Sequence, residues 1–353
     1  MGTSLDEWVG LKPESYLPAI YGFAMFQVVA TLARLNIPDV LGESAMTAQE
    51  LAAETGADPA SLRRLLRTAA VIGVCGMPAD GRFAMTALGR MFRRDSPWQA
   101  GTASALNSAP AIWQAWGALE GAVRTGKPAF DSVHGVGLFD YLQQDAGLSE
   151  LFHATMASGT GSQLAAIVER YDFSRFGHVV DVGGGDGTQL SAVLGANPQL
   201  HGTLFDTEQA LRKAPDLLKR AGVADRCAVV SGNFFESVPA GGDAYLLKNV
   251  LTDWDDESSV RILRSCHAAL TGRPDGRVVV ITSLMPERID EQNRGETMAV
   301  SLFDLSLLVL TPGRERTLGE YEQLLAATGF ELDQVTPIAE HNLCHALDAV
   351  AVR

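Results

Sequence analysis

The sequence predicts an α/β protein in which a doubly wound, mostly parallel sheet follows a helical N-terminal region. Three observations lead to this fold class. Short β-rich runs alternate with helical patterns from His178 onward, a glycine-rich turn follows the first run, and the preceding part of the chain has helical periodicity with one hairpin signal. The 353 residues correspond to about two domains of ordinary size.

Composition narrows the possible function classes. Hydrophobic residues make up 46% of the chain and charged residues 20%, which is ordinary for a protein with a large buried core. The 28 Lys and Arg are outnumbered by 42 Asp and Glu, giving a net charge of −14. Nucleic acid or an anionic membrane would require positive potential. We therefore expect a small-molecule ligand and neither a nucleic-acid nor a membrane partner.

Several features point to a soluble, cytoplasmic protein. The four cysteines lie far apart without a CxxC pair, which is typical of reduced, buried thiols and not of a disulfide framework or zinc site. The N-terminal segment lacks the basic residues of a signal peptide. The apolar stretches 17–35 and 300–310 are interrupted by Gln27, Arg34 and Asp304, so we expect neither to span a membrane.

Residues 1–97 are predicted to form a winged-helix dimerisation domain. Apolar side chains lie nearly all round the helical repeat of 17–35, as in a helix at a subunit contact. A capping box at Thr47–Glu50 opens one helix, and Asp58-Pro59 opens the next. A turn at Asp80-Gly81 then predicts the hairpin of the wing.

A winged helix often reads DNA, which gives DNA binding as an alternative function for this domain. Four arginines occupy positions where a recognition helix and wing carry phosphate contacts, namely Arg63, Arg64, Arg67 and Arg82. Residues 1–95 nevertheless hold nine basic against ten acidic residues, whereas DNA-binding domains show a basic excess. We therefore expect these arginines to pair with acids across a subunit interface.

Residues 98–175 carry helical patterns without a strand run, and we interpret them as a helical connector. Large side chains at helical spacing usually lie in a core, but a connector next to a catalytic domain also forms a pocket wall. We expect the following residues from the connector and from later in the chain to line a substrate pocket: Asn107, Trp116, Phe152, Met156, Asp304 and Leu307.

Residues 176–353 are predicted to carry the sheet. Strands are expected at 178–182, 202–206, 227–231, 243–250, 276–282, 330–338 and 344–352, with helices at 188–195, 208–221, 256–270 and 317–328. The last two strands follow each other directly. This spacing predicts seven strands, of which the last is antiparallel.

The first strand of this sheet runs into a turn with glycines at 183, 184, 185 and 187. Ligands of such sheets bind outside the carboxyl ends of the strands, so this turn is the expected cofactor site. Its spacing is GxGxG, and Thr188 stands where the dinucleotide fingerprint needs its third glycine. The spacing disfavours NAD, and the lack of a GxxxxGK[ST] motif in the sequence disfavours nucleotide phosphates.

Acidic residues at the ends of the first two strands favour a sulfonium nucleoside. Asp181 would repel a pyrophosphate but suits a ligand with an ammonium and a sulfonium group, and S-adenosylmethionine is such a ligand. Asp206 is placed to accept both ribose hydroxyls. Asn233 and Phe234 are candidates for the edge and face of the adenine, and Lys248 for the carboxylate of the cofactor.

Taken in order, these motifs resemble the caffeic acid and acetylserotonin type of small-molecule O-methyltransferases, in particular bacterial members from natural-product pathways. The resemblance covers nearly the whole chain. It includes AVRTGKPAF at 122–130, VDVGGGDG at 180–187, LK at 247–248 with DWDDE at 253–257, and PGRERT at 312–317. It implies a winged-helix dimerisation domain, a Rossmann-like methyltransferase domain, and a homodimer in which the partner closes the substrate pocket.

Position by position, the resemblance also implies cofactor contacts. Together with the residues derived above, the expected set is Asp181, Gly183, Gly185, Asp206, Asn233, Phe234, Lys248 and Trp254. The family often has Asp at the position of Asn233, and an amide can still face adenine. Trp254 matches a family tryptophan beside the cofactor, with core packing as the alternative.

The catalytic positions depart from the family pattern. Where the family has His-Asp-Trp, with the histidine as general base on the acceptor hydroxyl, this chain has Thr252-Asp253-Trp254. Thr282 replaces one of the two glutamates that flank the histidine, and Glu315 matches the other. Thr252 cannot be the base. The candidate catalytic set is Glu315, Thr252, Asp253 and His153.

Three interpretations remain open, because alignment of an activated methyl group can contribute about 7–11 kcal/mol, whereas a general base adds about 10²–10⁴-fold. The acceptor is ionised before it binds, or another residue takes the proton, with His153, Glu315 and Asp304 as candidates. Alternatively, the fold performs carbon or nitrogen methylation or a non-methylating reaction. A cofactor-sensing regulator is the non-enzyme alternative. The histidine spacing predicts no metal site.

Overall fold

A computed structural model describes residues 13–78, 80–96, 98–273, 275–339 and 343–352. The chain divides into two compact units, Met1–Pro110 and Ala111–Arg353. Hydrophobic clusters form within each unit. The three-part division at residues 97 and 175 stays a prediction.

Helices make up most of the first unit, and their starts follow the capping signals of the sequence. Thr47 Oγ1 accepts a hydrogen bond from the amide of Glu50 at 3.2 Å, and the Glu50 carboxylate accepts one from the amide of Thr47 at 2.7 Å. Asp58 caps the next helix by accepting from the amide of Ser61 at 2.8 Å. The helices are α1 (Pro13–Arg34), α2 (Ile37–Leu41), α3 (Ala48–Thr55), α4 (Pro59–Val71), α5 (Ala87–Arg90) and α6 (Ala100–Asn107).

A small antiparallel sheet accompanies these helices. Its strands are β1 (Met46–Thr47), β2 (Cys75–Gly76) and β3 (Arg82–Met85), in the order β1-β3-β2. Asp80 and Gly81 both have positive φ, +52° and +69°, as the predicted turn before β3 requires. Phe83 is 1% exposed and packs in the core of this unit with Leu51 and Leu66.

Helix α1 presents apolar side chains to the outside of the single chain, where Ile20 is 58% and Phe23 is 62% exposed. Its segment Tyr16–Arg34 has a mean hydropathy of 1.5 and is long enough to cross a membrane. The expectation that Gln27 and Arg34 would exclude this by composition was therefore wrong. A single such helix is weak evidence for a membrane, because buried helices of soluble proteins meet the same criteria.

The expectation of intersubunit pairing was also wrong for Arg82. Its guanidinium pairs with Glu50 of the same chain at 3.0 Å and donates to the carbonyl oxygen of Ala45 at 2.9 Å. Arg63, Arg64 and Arg67 are exposed on α4. The Arg82 contacts tie the strand pair to the capping box of α3.

The second unit begins with helices only, as predicted from its periodicity. They are α7 (Pro110–Gly117), α8 (Leu119–Thr125), α9 (Ala129–His134), α10 (Leu138–Gln144) and α11 (Ala146–Arg170). The next strands and helices alternate, as β4 (His178–Val182), α12 (Thr188–Ala196), β5 (His201–Asp206), α13 (Ala214–Arg220), β6 (Cys227–Ser231), β7 (Ala244–Lys248), α14 (Asp256–Ala269) and β8 (Arg277–Ser283). The unit ends with α15 (Arg294–Leu310), α16 (Leu318–Ala326), β9 (Phe330–Ala339) and β10 (Cys344–Ala351).

The seven strands β4–β10 form one sheet in the order β6-β5-β4-β7-β8-β10-β9. Strands β4 to β8 pair with one another in parallel, and β10 is antiparallel to both of its neighbours, β8 and β9. This confirms the predicted fold class and its antiparallel last strand. The strand order reverses between β4 and β7, and such a switch point opens a crevice at the carboxyl ends of the strands.

Hydrophobic residues cover both faces of the sheet, which explains why its strands read as continuous apolar runs. On one face, Leu190 and Leu194 of α12 pack with Val179 and Leu246. On the other, helices α14 and α16 contribute Ile262, Leu263, Tyr321 and Leu325. Asp181, Asp206 and Lys248 lie at or next to the carboxyl ends of their strands, where the candidate site forms.

Candidate active site

The glycine turn after β4 has a backbone that favours glycine. Gly183, Gly185 and Gly187 have φ of +73°, +60° and +82°. The amide of Gly183 donates to the carbonyl oxygen of Phe205 at 2.8 Å, and a Cβ at position 183 would lie only 2.8 Å from Val250 Cγ2. The turn therefore packs against the ends of two neighbouring strands in a form that lets a ligand approach the backbone.

Asp206 joins the end of β5 to this turn. Its carboxylate accepts hydrogen bonds from the amide of Gly185 at 2.9 Å and from the amide of Thr207 at 2.6 Å. Burial raises the pKa of Asp206, and the two amide donors together with the His153 ring oppose that rise. The structure thus brings together the glycine turn and the acid predicted to hold the ribose.

Asp181 lies beneath the glycine turn and is 2% exposed. Its Oδ2 has no hydrogen-bond partner among the residues that the structure describes. Burial, with a smaller contribution from Asp206, raises the pKa of Asp181 to about 7, and Lys248 opposes this rise. Burial lowers the pKa of Lys248, against the opposing influence of Cys344 and Asp181.

This pair tests whether the site fits the expected cofactor. A buried carboxylate oxygen that lacks a partner requires a donor, because an unsatisfied buried acceptor costs about 1–3 kcal/mol. A ligand that carries both an ammonium and a carboxylate supplies a donor for Asp181 and an acceptor for Lys248. The residues therefore fit the amino-acid end of S-adenosylmethionine.

Aromatic side chains form a cluster beside this crevice. The rings of Phe234 and Phe235 lie 6.1 Å and 4.7 Å from that of Trp254, and Phe139 stacks on Trp254 at 5.5 Å and 24°. Neither Phe139 nor Phe235 was predicted. The contact of Phe139 with Trp254 joins segments more than a hundred residues apart, and Phe235 lies in a loop without a periodic pattern. Asn233 is exposed, and its amide donates to Glu236 at 3.1 Å. Its contact with adenine stays a prediction.

Thr252 occupies the short 3-10 turn Leu251–Asp253 after β7. The side chain is 1% exposed, and within the described chain its Oγ1 makes no hydrogen bond. A Cβ at position 313 would collide with the carbonyl oxygen of Thr252, so only glycine allows the 312–316 segment to pass this close. The turn and the 312–316 segment are therefore packed directly against each other.

Glu315 follows this close approach and is 6% exposed. Its amide donates to Asp304 Oδ1 at 2.8 Å, while its Oε2 finds no partner in the described residues. Burial, then Asp304 and then Asp253 raise the pKa of Glu315 to about 8, with Arg316 opposing. Burial also raises the pKa of Asp253 to about 7. We call Asp253, Asp304 and Glu315 the acid cluster.

Thr282 cannot extend the acid cluster. It is 1% exposed, and its hydroxyl shares a hydrogen bond of 3.1 Å with the hydroxyl of Tyr321, which is fully buried. The family resemblance places a second glutamate at position 282. Here that position has a neutral hydroxyl group, which is hydrogen-bonded to another neutral hydroxyl group. Glu315 is the buried acid that remains of the two glutamates.

His153 is influenced by charges on the cofactor side of the crevice. Burial lowers its pKa, Asp206 and Asp186 oppose this, and Lys213 and Arg212 reinforce it. The helix that carries His153 is tied to the same side, because Gln209 donates to Ser149 Oγ at 2.8 Å. The proposal that His153 acts as a base is untested, and its surroundings favour a place near the cofactor.

The predicted pocket residues occupy varied environments. Within the second unit, Trp116 and Phe152 are half-buried, Leu307 is 4% exposed and Met156 is 43% exposed. Asn107 belongs to the first unit, where its amide donates to the carbonyl oxygen of Ala103 at 2.9 Å.

Among the described residues, no group of three His, Cys, Asp or Glu side chains could hold a metal ion. One of the seven histidines, His341, lies outside the described residues, so the predicted lack of a histidine metal site stays a prediction there.

Comparison with protein families identifies both parts of the chain. Residues 116–331 match the O-methyltransferase domain, and residues 17–95 match the O-methyltransferase dimerisation domain. The O-demethylpuromycin-O-methyltransferase of Streptomyces alboniger is 38% identical over 324 residues, which cover 91% of this chain and 85% of that enzyme. The chain belongs to the O-methyltransferase family.

Solved structures agree with this assignment. The mitomycin 7-O-methyltransferase MmcR has a TM-score of 0.87 and 36% identity, covering 96% of this chain and 97% of that one. An O-methyltransferase from neocarzinostatin biosynthesis, solved with S-adenosylmethionine and 2-hydroxy-5-methyl naphthoic acid, has a TM-score of 0.79 and 32% identity, covering 93% and 96%. The protein is an S-adenosylmethionine-dependent methyltransferase of the kind found in natural-product pathways.

Proposed function

We propose that this enzyme methylates a hydroxyl group on a small aromatic natural product and that Glu315 takes the proton that a histidine takes elsewhere in the family. The observation that carries the proposal is the buried Glu315 carboxyl, whose Oε2 has no partner within the described part of the chain and which lies beside the Thr252 turn. A buried acid in this state needs a hydrogen-bond donor, which an acceptor hydroxyl can supply.

The cofactor assignments follow from the site. S-adenosylmethionine supplies a methyl group already activated by its sulfonium. Asp181 accepts from the cofactor ammonium, Lys248 binds its carboxylate, and Asp206 accepts from the ribose hydroxyls. Asn233 and Phe234 face the adenine, with Trp254 beside them. The glycine turn, including Gly183 and Gly185, allows the close approach that this pose needs.

The acid cluster selects the form of the acceptor. Burial already opposes the ionisation of Asp253 and Glu315. A phenolate or carboxylate would add a negative charge beside them, and like charges at close range repel each other strongly where water is scarce. A neutral hydroxyl instead donates its proton to the cluster. Of the three interpretations left open by the sequence, this favours proton transfer to a residue of the chain over an acceptor that is ionised in advance.

Glu315 is suited to this role by its pKa. A general base works best when its pKa lies near the operating pH, and burial with two neighbouring acids raises the pKa of Glu315 to about 8. A carboxylate with an ordinary pKa would be far too weak for a phenol of pKa near 10. Asp253 and Asp304 act on Glu315 through their charge, and Thr252 contributes its hydroxyl to acceptor binding.

The assembly is a homodimer formed through the N-terminal domain, and we propose a winged-helix arrangement for that domain. The match to the dimerisation domain and the exposed apolar face of α1 support the homodimer. A cytoplasmic location and the lack of a nucleic-acid partner agree with the net charge of −14.

The test uses methyl-labelled S-adenosylmethionine and matched pairs of phenols that differ in acidity but little in shape. We expect S-adenosylhomocysteine to accumulate with neutral phenols of pKa near 10, and expect Glu315→Gln to lose this activity. Methylation restricted to phenols that are ionised at the assay pH would refute proton transfer to Glu315. Failure to methylate any hydroxyl compound, with turnover of an amine or carbon acid instead, would refute O-methylation.

A further inference from the structure

Arg316 is a fully buried cation, with 0% of its surface exposed. Its Nη1 donates to the carbonyl oxygen of Leu251 at 2.8 Å, and its Nη2 donates to that of Trp254 at 2.9 Å. These two carbonyl groups stand at either end of the turn that carries Thr252 and Asp253. One guanidinium therefore holds both ends of that turn.

The same guanidinium is anchored to the helix that follows the turn. Nε and Nη2 donate to Asp256 Oδ1 at 2.9 Å and 2.8 Å, and Nη2 also lies 3.2 Å from Ser259 Oγ. The Arg316 backbone is fixed separately, because its carbonyl oxygen accepts from the amide of Met285 at 3.0 Å. Arg316 thus connects the turn to α14 through its side chain and to the end of β8 through its backbone.

We propose that Arg316 is a positioning residue, which sets the place of the Thr252–Asp253 turn relative to the carboxyl of its sequence neighbour, Glu315. The inference rests on the proposed function of Glu315. The side chain of Arg316 is hydrogen-bonded to the turn that carries Asp253, and its backbone is joined to Glu315. A shift of this side chain therefore changes the distance between Asp253 and Glu315. Arg316 touches neither cofactor nor acceptor.

The geometry requires arginine specifically. A guanidinium offers five N–H donors in a rigid plane, which allows it to serve two carbonyl groups and one carboxylate at once. A lysine ammonium carries the same charge on a single atom and cannot reach all three groups. Because catalysis depends steeply on alignment, a displacement of about 1 Å can cost about 10²-fold in rate.

The first experiment compares Arg316→Lys with Arg314→Gln. Arg314 also pairs with Asp256, at 3.1 Å, but is 41% exposed and bonds neither end of the turn. We expect Arg316→Lys to lower kcat by about 10–100-fold, to leave the Kd for S-adenosylhomocysteine within about twofold, and to shift the acidic limb of the pH profile upward. The control should keep kcat within about twofold. An unchanged kcat and pH profile in Arg316→Lys would overturn the proposal.

A second variant covers the case in which Arg316→Lys does not fold. Asp256 is 58% exposed at its side chain, and Asp256→Ala removes the anchor of Arg316 while leaving the cation in place. We expect a roughly tenfold fall in kcat with unchanged cofactor affinity. A variant that loses cofactor affinity and kcat in equal measure would show a purely structural role and overturn the proposal.

The double variant Glu315→Gln/Arg316→Lys separates this inference from the proposed base. If Arg316 acts through Glu315, the double variant loses no more activity than Glu315→Gln alone. Full additivity overturns the role of Arg316 and leaves the base intact. An unaffected Glu315→Gln overturns the base, whatever Arg316→Lys does.

Discussion

The backbone amide of Glu315 donates a hydrogen bond of 2.8 Å to the carboxylate of Asp304. This bond holds the Asp304 carboxyl group against the backbone of Glu315. Burial raises the pKa of the Glu315 carboxyl, and the neighbouring Asp304 adds to that rise. One hydrogen bond therefore keeps an acidic neighbour beside a buried carboxyl that is a stronger base than an ordinary carboxylate.

The first prediction concerns stability. Burial and its acidic neighbours raise the pKa of Glu315 from 4.5, the value of an unperturbed side chain, to about 8 in the folded protein. Between these pH values the unfolded chain releases the proton and the folded chain keeps it, so the free energy of unfolding falls as pH rises. Glu315→Gln stays neutral in both states. Its Tm relative to wild type should rise from pH 5 to pH 8.5, by about 1–2 °C for each kcal/mol of stability that the wild type loses.

The matched control for this experiment is Glu322→Gln on the exposed surface of α16. Calorimetric Tm values across the pH range should show no pH-dependent gain for the control. A Glu315→Gln difference that is flat with pH would show that Glu315 ionises normally in the folded protein.

A second prediction concerns the missing histidine. Thr252→His introduces a base of ordinary pKa near 6.5, which burial would lower further. Methylation of a neutral phenol at pH 6–7 should therefore rise relative to wild type, with the acidic limb of the profile moved to lower pH. Thr252→Val, which removes only the hydroxyl, should not show this shift. If the acidic limb of the pH profile lies at the wild-type position in both variants, the acceptor is not deprotonated beside residue 252.

The third prediction concerns cofactor binding. Asp206→Asn removes the charge from the group that accepts from the ribose, and hydrogen bonds to charged groups contribute about 1.5–3 kcal/mol. The Kd for S-adenosylhomocysteine measured by titration calorimetry should therefore rise roughly 10–100-fold. Asp216→Asn, on the exposed face of α13, serves as the control. Equal affinities in the two variants would place the ribose elsewhere.

The fourth prediction concerns the dimer. Phe23→Asp places a charge on the exposed apolar face of α1, where Phe23 is 62% exposed in the single chain. Burying an unpaired carboxylate in a subunit contact is costly. Light scattering should show a fall to the single-chain mass of 37.6 kDa. Val71→Asp, at a position 87% exposed outside α1, should keep the dimer mass. A dimeric Phe23→Asp would show that the contact lies elsewhere.

Much of the fold follows from local signals in the sequence. The strands of the large sheet begin and end within a few residues of prediction, because each is an apolar run bounded by polar residues or glycine. The helices of the first unit begin at Thr47 and Asp58, whose capping side chains are legible in the sequence. The glycine turn was likewise predicted from its glycine spacing, and its positive φ values are what the structure adds.

The site was predictable only where it lies on such local signals. Asp181 and Asp206 stand at strand ends, so their convergence followed from the topology. Arg316 instead has the appearance of a surface charge in the sequence, and its burial depends on contacts with Leu251 and Trp254, some sixty residues away. Long-range contacts of this kind leave no periodic pattern. Thr282 was recognised as a lost acid, but not its bond with Tyr321.

The central claim is tested most directly by the pH dependence of kcat for a neutral phenol, measured with wild type and with Glu315→Gln under saturating S-adenosylmethionine. Wild-type kcat should rise with pH, reach half of its maximum near pH 8 and level off above that pH. Glu315→Gln should be slower by about 10²–10⁴-fold and lack this limb. A Glu315→Gln profile with the same limb and a plateau within a factor of a few of wild type would contradict the claim.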